Sequence, residues 1–251
     1  MRLLMIRHGD PDYSIDSLTE KGWREAELLS ERLIKEDITA FYVSPLGRAK
    51  DTASLTLKKL NRTATECQWL REFAPQIHRP DSPERNHIVW DWLPEDWTKE
   101  EEFFRRDLWH THDVLQASES PATGEQGVKA EYEWVTKNFD ALLAKHGYVR
   151  DGLIYRVEKS NRDTIAFFCH FGLECVLLSH LMNVSPMVLW HHSFAAPTSV
   201  TTIYTEERRV GKAAFRISGF GDISHLYVAG EKPSFSGRFC ETYDNMEERH
   251  D

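Results

Sequence analysis

The sequence predicts an α/β fold in three layers, with helices on both faces of a largely parallel central sheet. Three observations carry that prediction. Leu3, Leu4, Met5 and Ile6 are apolar at consecutive positions, the composition of an inner strand covered on both faces. A second run of strand composition, Thr164 to Cys169, lies far downstream. Around them, short apolar runs alternate with segments whose apolar residues recur every three or four positions, as in the strand and helix alternation of a parallel sheet. Both runs end on a histidine, the first at Arg7-His8-Gly9 and the second at His170-Phe171-Gly172. Ligands of open α/β sheets bind beyond the carboxyl ends of the strands, so these two histidines are expected to share one pocket.

The elements follow in order. Asp10-Pro11-Asp12-Tyr13 reads as a turn. Thr19 is placed to cap a helix whose buried stripe is Gly22, Ala26, Leu29 and Leu33, with Glu20, Arg24, Glu31 and Lys35 on its other faces. Ala40 to Val43 is a short strand, and Ser44-Pro45 suits a helix start with serine as cap and proline as first helical residue. Leu46, Ala49, Ala53, Leu57 and Leu60 give that helix its buried face and leave Arg48 in its first turns. Ala64 to Leu70 is a weaker strand pattern, closed by Arg71-Glu72-Phe73.

The character then changes. From Ala74 to Gly124 the chain is rich in proline, acidic residues and aromatics, among them Trp90, Trp92, Trp97 and Trp109. This stretch reads as an inserted cap over the sheet edge, with a helix near Lys99 to Leu115, its tryptophans either packing a small core or shaping a specificity pocket. Glu125 to Lys145 is helical, with Val128, Tyr132, Val135, Phe139 and Leu142 at spacings of three and four. Gly147 to Asp163 reads as a strap. Gly172 to Met182 forms a compact helix that turns its N-terminal amides toward the pocket. Val200 to Tyr204 and Ala213 to Ser218 suit later strands, and the tail from Glu231 is expected to be loosely ordered. No internal repeat or low-complexity tract occurs, and residues 1–251 read as a single domain with an insertion at about 74–124.

Composition narrows the class. With 41% hydrophobic and 28% charged residues the chain is ordinary globular protein, and no apolar stretch approaches the ~18 residues of a membrane span. A net charge of −9 argues against general nucleic-acid binding, which needs basic surface. The N-terminus has no secretory pattern, and Cys67, Cys169, Cys175 and Cys240 include no Cys-x-x-Cys spacing. Reduced thiols and a cytoplasmic, soluble protein are expected.

Imidazole is nucleophilic at neutral pH and can carry a phosphoryl group when its geometry is held, which makes His8 the candidate nucleophile. Phosphoryl transfer spreads negative charge over non-bridging oxygens, and Arg7, Arg48 and His170 supply the donors it needs. The leaving alkoxide needs a proton from a carboxyl whose pKa is raised. Glu72, at a strand end, is the choice, with Asp10, Asp12, Glu84 and Glu125 as competitors. His110-x-His112 and His191-His192 lack the i, i+4 spacing of a zinc motif and are read as packing or surface residues. Gly124-x-x-Gly127 lacks the lysine of a nucleotide-binding loop and reads as a helix entry.

These residues resemble the histidine phosphatase superfamily, also called the phosphoglycerate mutase-like fold, over most of the chain. The resemblance rests on Arg7-His8-Gly9, on Leu18-Thr19-Glu20-Lys21-Gly22 and on Ser44-Pro45-Leu46-Gly47-Arg48-Ala49, with Leu70-Arg71-Glu72, Gly124-Glu125 and His170 in support. It implies phosphorylation of His8, a phosphoryl cradle of Arg7, Arg48 and His170, and Glu72 as acid and then base. It implies no metal and no cofactor. Mutases of the family continue past the glutamate with Arg-His-Tyr-Gly, where this chain has Phe73-Ala74-Pro75, so the expected activity is hydrolysis of a small phosphomonoester, with mutase-type transfer second. Asp10 stands where glutamate, glutamine or asparagine is more usual. A metal-dependent hydrolase using His8 and His170 with Asp10 or Asp12, and a non-catalytic phospholigand-binding module, are the readings from other classes.

Overall fold

The computed structural model describes residues 1–120 and 122–247. β1 (Arg2–Arg7) leads into a small ribbon of β2 (Pro11–Asp12) and β3 (Ser17–Leu18), then α1 (Glu20–Leu33). β4 (Ala40–Val43), α2 (Gly47–Leu60) and β5 (Thr65–Glu66) follow, with a 3-10 turn at Gln68–Leu70. A hairpin of β6 (Gln76–Arg79) and β7 (Ser82–Ile88) comes next, then α3 (Pro94–Trp97) and α4 (Asp113–Gln116). α5 (Val128–Lys145) precedes the hairpin β8 (Tyr148–Asp151) and β9 (Ile154–Val157). β10 (Thr164–Cys169), α6 (Phe171–Met182), α7 (Pro186–His192), the long hairpin β11 (Val200–Arg209) and β12 (Lys212–Asp222), and α8 (Ser224–Val228) complete the regular elements.

Eight strands form one sheet in the order β5-β4-β10-β1-β11-β12-β9-β8. Its core is parallel, β5 with β4, β4 with β10 and β10 with β1, while β11, β12, β9 and β8 add antiparallel pairs. Alternation along β1 divides the core. Leu4 and Ile6 face Leu29 and Leu33 of α1 and Ala49 and Ala53 of α2, whereas Leu3 and Met5 face the cluster with Phe139 of α5 and Leu177 of α6. Helices therefore cover both faces of the sheet.

The register sets up the site. Arg7 pairs with Cys169 and Val43 with Phe168, so β1, β10 and β4 end side by side. His8, His170 and Ser44 are the next residues on the three strands.

Several expectations are corrected. The helix expected near Lys99 to Leu115 is replaced by 3-10 turns at Glu101–Phe104 and Trp109–Thr111, followed by α4. The positions three and four beyond the buried Phe103 are Arg106 and Asp107, so a continuous helix would bury charge. Ser44 does not cap α2. The helix starts at Gly47, whose amide is bonded by Asp16 Oδ2 at 2.7 Å, while Ser44 is drawn to His170. The strap from Gly147 to Asp163 is the β8–β9 hairpin at the sheet edge. Of Ala64 to Leu70, only Thr65–Glu66 pairs with β4. The tail beyond Glu231 forms no helix or strand among the described residues, yet it is not loose. Ser234 is buried and donates through its amide to Glu25 at 2.9 Å. In the 74–124 stretch, Trp92, Trp97 and Trp109 are buried and join the main core, with Trp109 edge-on to Trp190 at 5.8 Å. His112 packs on Trp92 and Phe103, and His191 stacks on Trp97.

Candidate active site

The structure gathers all five residues singled out in the sequence. Burial pushes the His8 imidazole well below its usual pKa, and the Arg7 and Arg48 charges push the same way. His8 is thus held in its neutral form. Its Nδ1 lies 2.7 Å from the Gly9 carbonyl, which can only accept. The proton is thereby fixed on Nδ1, and the Nε2 lone pair is left to act. The His170 ring stands with its centroid 5.1 Å from that of His8, and its Nε2 is 2.7 Å from Ser44 Oγ. Burial, and then the nearby His8, Arg48 and Arg7, hold His170 well below its usual pKa.

Both arginines are buried and tied by one arm. Arg7 Nη1 donates to the Ala195 carbonyl at 2.5 Å, and Arg48 Nη1 to Asp16 Oδ1 at 2.6 Å. Nε of each arginine and Nδ1 of His170 are buried with no partner among the described residues. A cluster of cations and imidazoles with unmet donors suits an anion rich in acceptor oxygens. Binding such an anion favours the protonated form of His170.

Glu72 follows the 3-10 turn. Its Oε1 accepts from the Phe73 amide at 2.9 Å and the Leu173 amide at 3.0 Å, and its Oε2 has no protein partner among the described residues. Burial lifts this carboxyl above its usual value against the pull of Arg48, the Leu173 and Phe73 amides and Arg7. A carboxyl raised above its usual value beside two arginines holds its proton more readily than a free one and can give it up as charge develops. Of its competitors, Asp10 is engaged by Thr19 and Ser234, and Asp12 bonds Ser14. Glu84 pairs with Arg85 and Ser82, and Glu125 is exposed at the entry to α5.

Close backbone approach holds the first loop. A Cβ on Gly22 would fall 2.2 Å from the Asp10 carbonyl, and one on Gly47 2.1 Å from that of Asp16. The two glycines of the sequence motifs thus let α1 and α2 press on the Asp10 to Ser17 loop. The Gly9 amide donates to Thr52 Oγ1 at 2.9 Å, clasping the loop to α2.

Four participants were missed or misread in the sequence. Asp16, with φ of +49°, holds Arg48; burial pushes its carboxyl up, but the Gly47 amide and Arg48 outweigh this and leave it below its usual value. A lone loop aspartate carries no signal of that role. Ser44 was visible but assigned to capping. Glu174, which feels the Arg7 and Glu72 charges, is lifted by burial to about 7; an acid in the apolar first half of α6 was the available signal. Gly237 lies so near Arg7 that a Cβ there would fall 2.6 Å from Nη2, a contact invisible to local pattern. Among the described residues, no three His, Cys, Asp or Glu side chains gather to hold a metal, and no helix is long and apolar enough to cross a membrane.

The sequence profile of the histidine phosphatase superfamily (branch 1) matches residues 3–216. The chain belongs to that superfamily. A 2,3-bisphosphoglycerate-dependent phosphoglycerate mutase of Thermoplasma acidophilum is 37% identical over 79 residues, covering 28% of this chain and 40% of the relative. The mitochondrial serine/threonine-protein phosphatase Pgam5 of Caenorhabditis elegans is 35% identical over 94 residues, 35% of this chain and 31% of the relative. Each match thus spans less than half of the curated relative. Solved phosphatase structures share the fold over more of the chain. A phosphoserine phosphatase mutant of Entamoeba histolytica, in complex with phosphoserine, superposes with a TM-score of 0.57 at 17% identity, covering 90% of this chain and 98% of that one. The α-ribazole phosphatase of Shigella flexneri gives 0.55 at 20% identity, covering 89% and 97%. The phosphoglycerate mutase-like fold expected from the motifs is the fold observed.

Proposed function

We propose that this histidine phosphatase superfamily member is a phosphomonoester hydrolase acting through a phosphohistidine on His8. The observation that carries the reading is the neutral His8 ring, its proton fixed on Nδ1 by Gly9. In the first step Nε2 attacks phosphorus, the N–P bond forms and the ester P–O bond breaks. Arg7, Arg48 and His170 hold the non-bridging oxygens, and Glu72 gives its proton to the departing alkoxide. In the second step Glu72, now a carboxylate, takes a proton from water, whose oxygen attacks phosphorus. The N–P bond breaks, inorganic phosphate leaves, and His8 is again neutral. The Arg-His cradle fills the electrostatic role that a metal fills elsewhere, so the reaction needs none.

The stretch from 74 to 124 is read as the cap of a single domain, and the substrate as a small phosphomonoester, supported by phosphatase neighbours that include phosphoserine and α-ribazole phosphatases. Mutase-type transfer is the second reading, favoured by the local identity to the Thermoplasma enzyme and opposed by Phe73-Ala74-Pro75 after Glu72. The four cysteines are all free, in keeping with a cytoplasmic setting. The test is hydrolysis of an aryl phosphate with excess chelator, by wild type and His8→Ala. We expect wild-type turnover to survive chelator and to fall by about 10⁴-fold or more in the variant. Loss of wild-type activity to chelator, or turnover retained without His8, defeats the mechanism.

A further inference from the structure

Beside the cradle lies a chamber of about 740 Å³, within the roughly 300–1,000 Å³ of small-molecule sites. Three contacts join it to the reacting groups. Phe171, in its wall, directly follows His170. Trp90, also in the wall, meets Gly172, where an added Cβ would fall 2.4 Å from Trp90 Nε1 and 2.8 Å from Glu72 Oε1. Phe194 lies under the Arg7 guanidinium at 5.9 Å and under that of Arg238 at 5.8 Å. A group leaving phosphorus toward Glu72 therefore leaves toward this chamber.

Its walls are largely aromatic, and most of their polar groups are already engaged, Nε of Arg79 and Nε2 of His191 being buried with no partner among the described residues. The indole N–H groups of Trp90, Trp92 and Trp190 donate to the carbonyls of Phe73, Val89 and Gly172 at 3.0, 3.1 and 2.9 Å. These three rings offer a ligand carbon surface. The charged residues of the wall are Arg79, Asp91 and Arg238. Arg79 is paired with Asp81 at 2.9 Å and with Asp91 at 3.1 Å, and Arg238 with Glu241. His191 donates from Nδ1 to the Met187 carbonyl at 2.7 Å, and burial lowers it to about 4, so it is neutral. A leaving group with a carboxylate or ammonium would lose hydration here and find no free counter-charge among the described residues. A flat apolar one would exchange water for indole and phenyl faces.

We infer that the chamber seats the leaving group of the substrate and that this group is an uncharged, bulky aromatic or polycyclic alcohol. The inference rests on the phosphomonoesterase reading and narrows its substrate class. It sets this chain apart from enzymes that act on phosphoserine, whose leaving group is small and zwitterionic.

The test uses phosphonates, which keep the anion and cannot be hydrolysed. Affinities of the full chain for methylphosphonate, 1-naphthylmethylphosphonate and 2-amino-4-phosphonobutanoate are measured by calorimetry. We expect the naphthyl compound to bind about tenfold or more tightly than methylphosphonate, and the amino-acid compound no more tightly. Ala196→Phe, which fills the chamber from its wall, and Phe239→Ala, which opens it from the exposed tail, should each reduce the naphthyl-to-methyl ratio. Equal affinities in wild type, or a preference for the amino-acid compound, overturn the inference even where aryl phosphates are hydrolysed. A naphthyl preference in a protein that forms no phosphohistidine sustains the chamber and overturns the catalytic reading instead.

Discussion

The cradle and the chamber are neighbours built in opposite ways. The cradle stands on strand tips and helix starts, where three parallel strands end in register and each contributes its next residue. The chamber is assembled mostly from the turns and loops of the 74–124 stretch, the end of α7 with the loop after it, and the tail, with Phe171 of α6 and Gly221 of β12 completing the wall. The first kind of site depends on a few charged residues at points the sheet geometry dictates. The second depends on where irregular segments come to rest. Chemistry can therefore be held constant while selection changes.

The largest expected effect sharpens the cradle side. Glu72→Gln should lower turnover by about 10²–10⁴-fold on alkyl phosphates, with far less loss on esters of acidic phenols, because only the former need protonation. Wild-type activity on the alkyl esters should also fall as pH rises through the raised Glu72 pKa, and the variant should lack that limb. Uniform losses across leaving groups would remove Glu72 from the acid role. Next, Arg48→Ala should cost about 10²–10³-fold in kcat, the scale of one charge-stabilising donor. Unchanged turnover would break the cradle assignment.

The chamber side is probed where the two regions touch. Gly237→Ala places a Cβ against Arg7 at a φ of +83°, and kcat/KM should fall by roughly tenfold through displacement of the guanidinium or the tail. Gly230→Ala is the control, since it also lies at positive φ, +69°, with nothing within 4 Å. Equal effects of the two would show that backbone strain alone is at work. The smallest expected effect concerns Glu174, whose folded pKa of about 7 lies above the ordinary carboxylate value. The folded state holds that proton where the unfolded chain releases it, so its share of stability is full below about pH 4.5 and is lost as pH rises toward 7. Glu174→Gln should flatten denaturation midpoints over that interval, by on the order of 1–3 kcal/mol. An unaltered slope would mean that Glu174 does not titrate there.

What could be read in advance follows the same division. β1 and β10 were legible because a doubly buried strand leaves no polar position, and His8 and His170 because they end those runs. Arg48 was legible through its place in the first turn of α2. Glu72 reaches the pocket although the strand expected before it is mostly a 3-10 turn, since the motif marks the chain's approach to the pocket rather than the element that makes it. The expected helix near Lys99 to Leu115 failed because buried aromatics at Trp97, Phe103 and Trp109 are spaced for a folded coil of turns and not for a 3.6-residue stripe. The tail failed for another reason. Its polar composition describes a segment that cannot make a core of its own, and says nothing of one that docks on a core already made.

Asp10 shows what that docking entails. Its amide donates to Glu25 at 3.0 Å, one carboxylate oxygen accepts from Thr19 at 2.6 Å, and the other accepts from the hydroxyl of Ser234, 224 residues away in the chain. Arg7, His8 and Asp10 are thus synthesised some 224 residues ahead of the segment that closes over them. At ~5–20 residues per second the interval is roughly 10–45 s. During translation His8 precedes its own enclosure, which is completed only as synthesis passes Ser234 and Gly237.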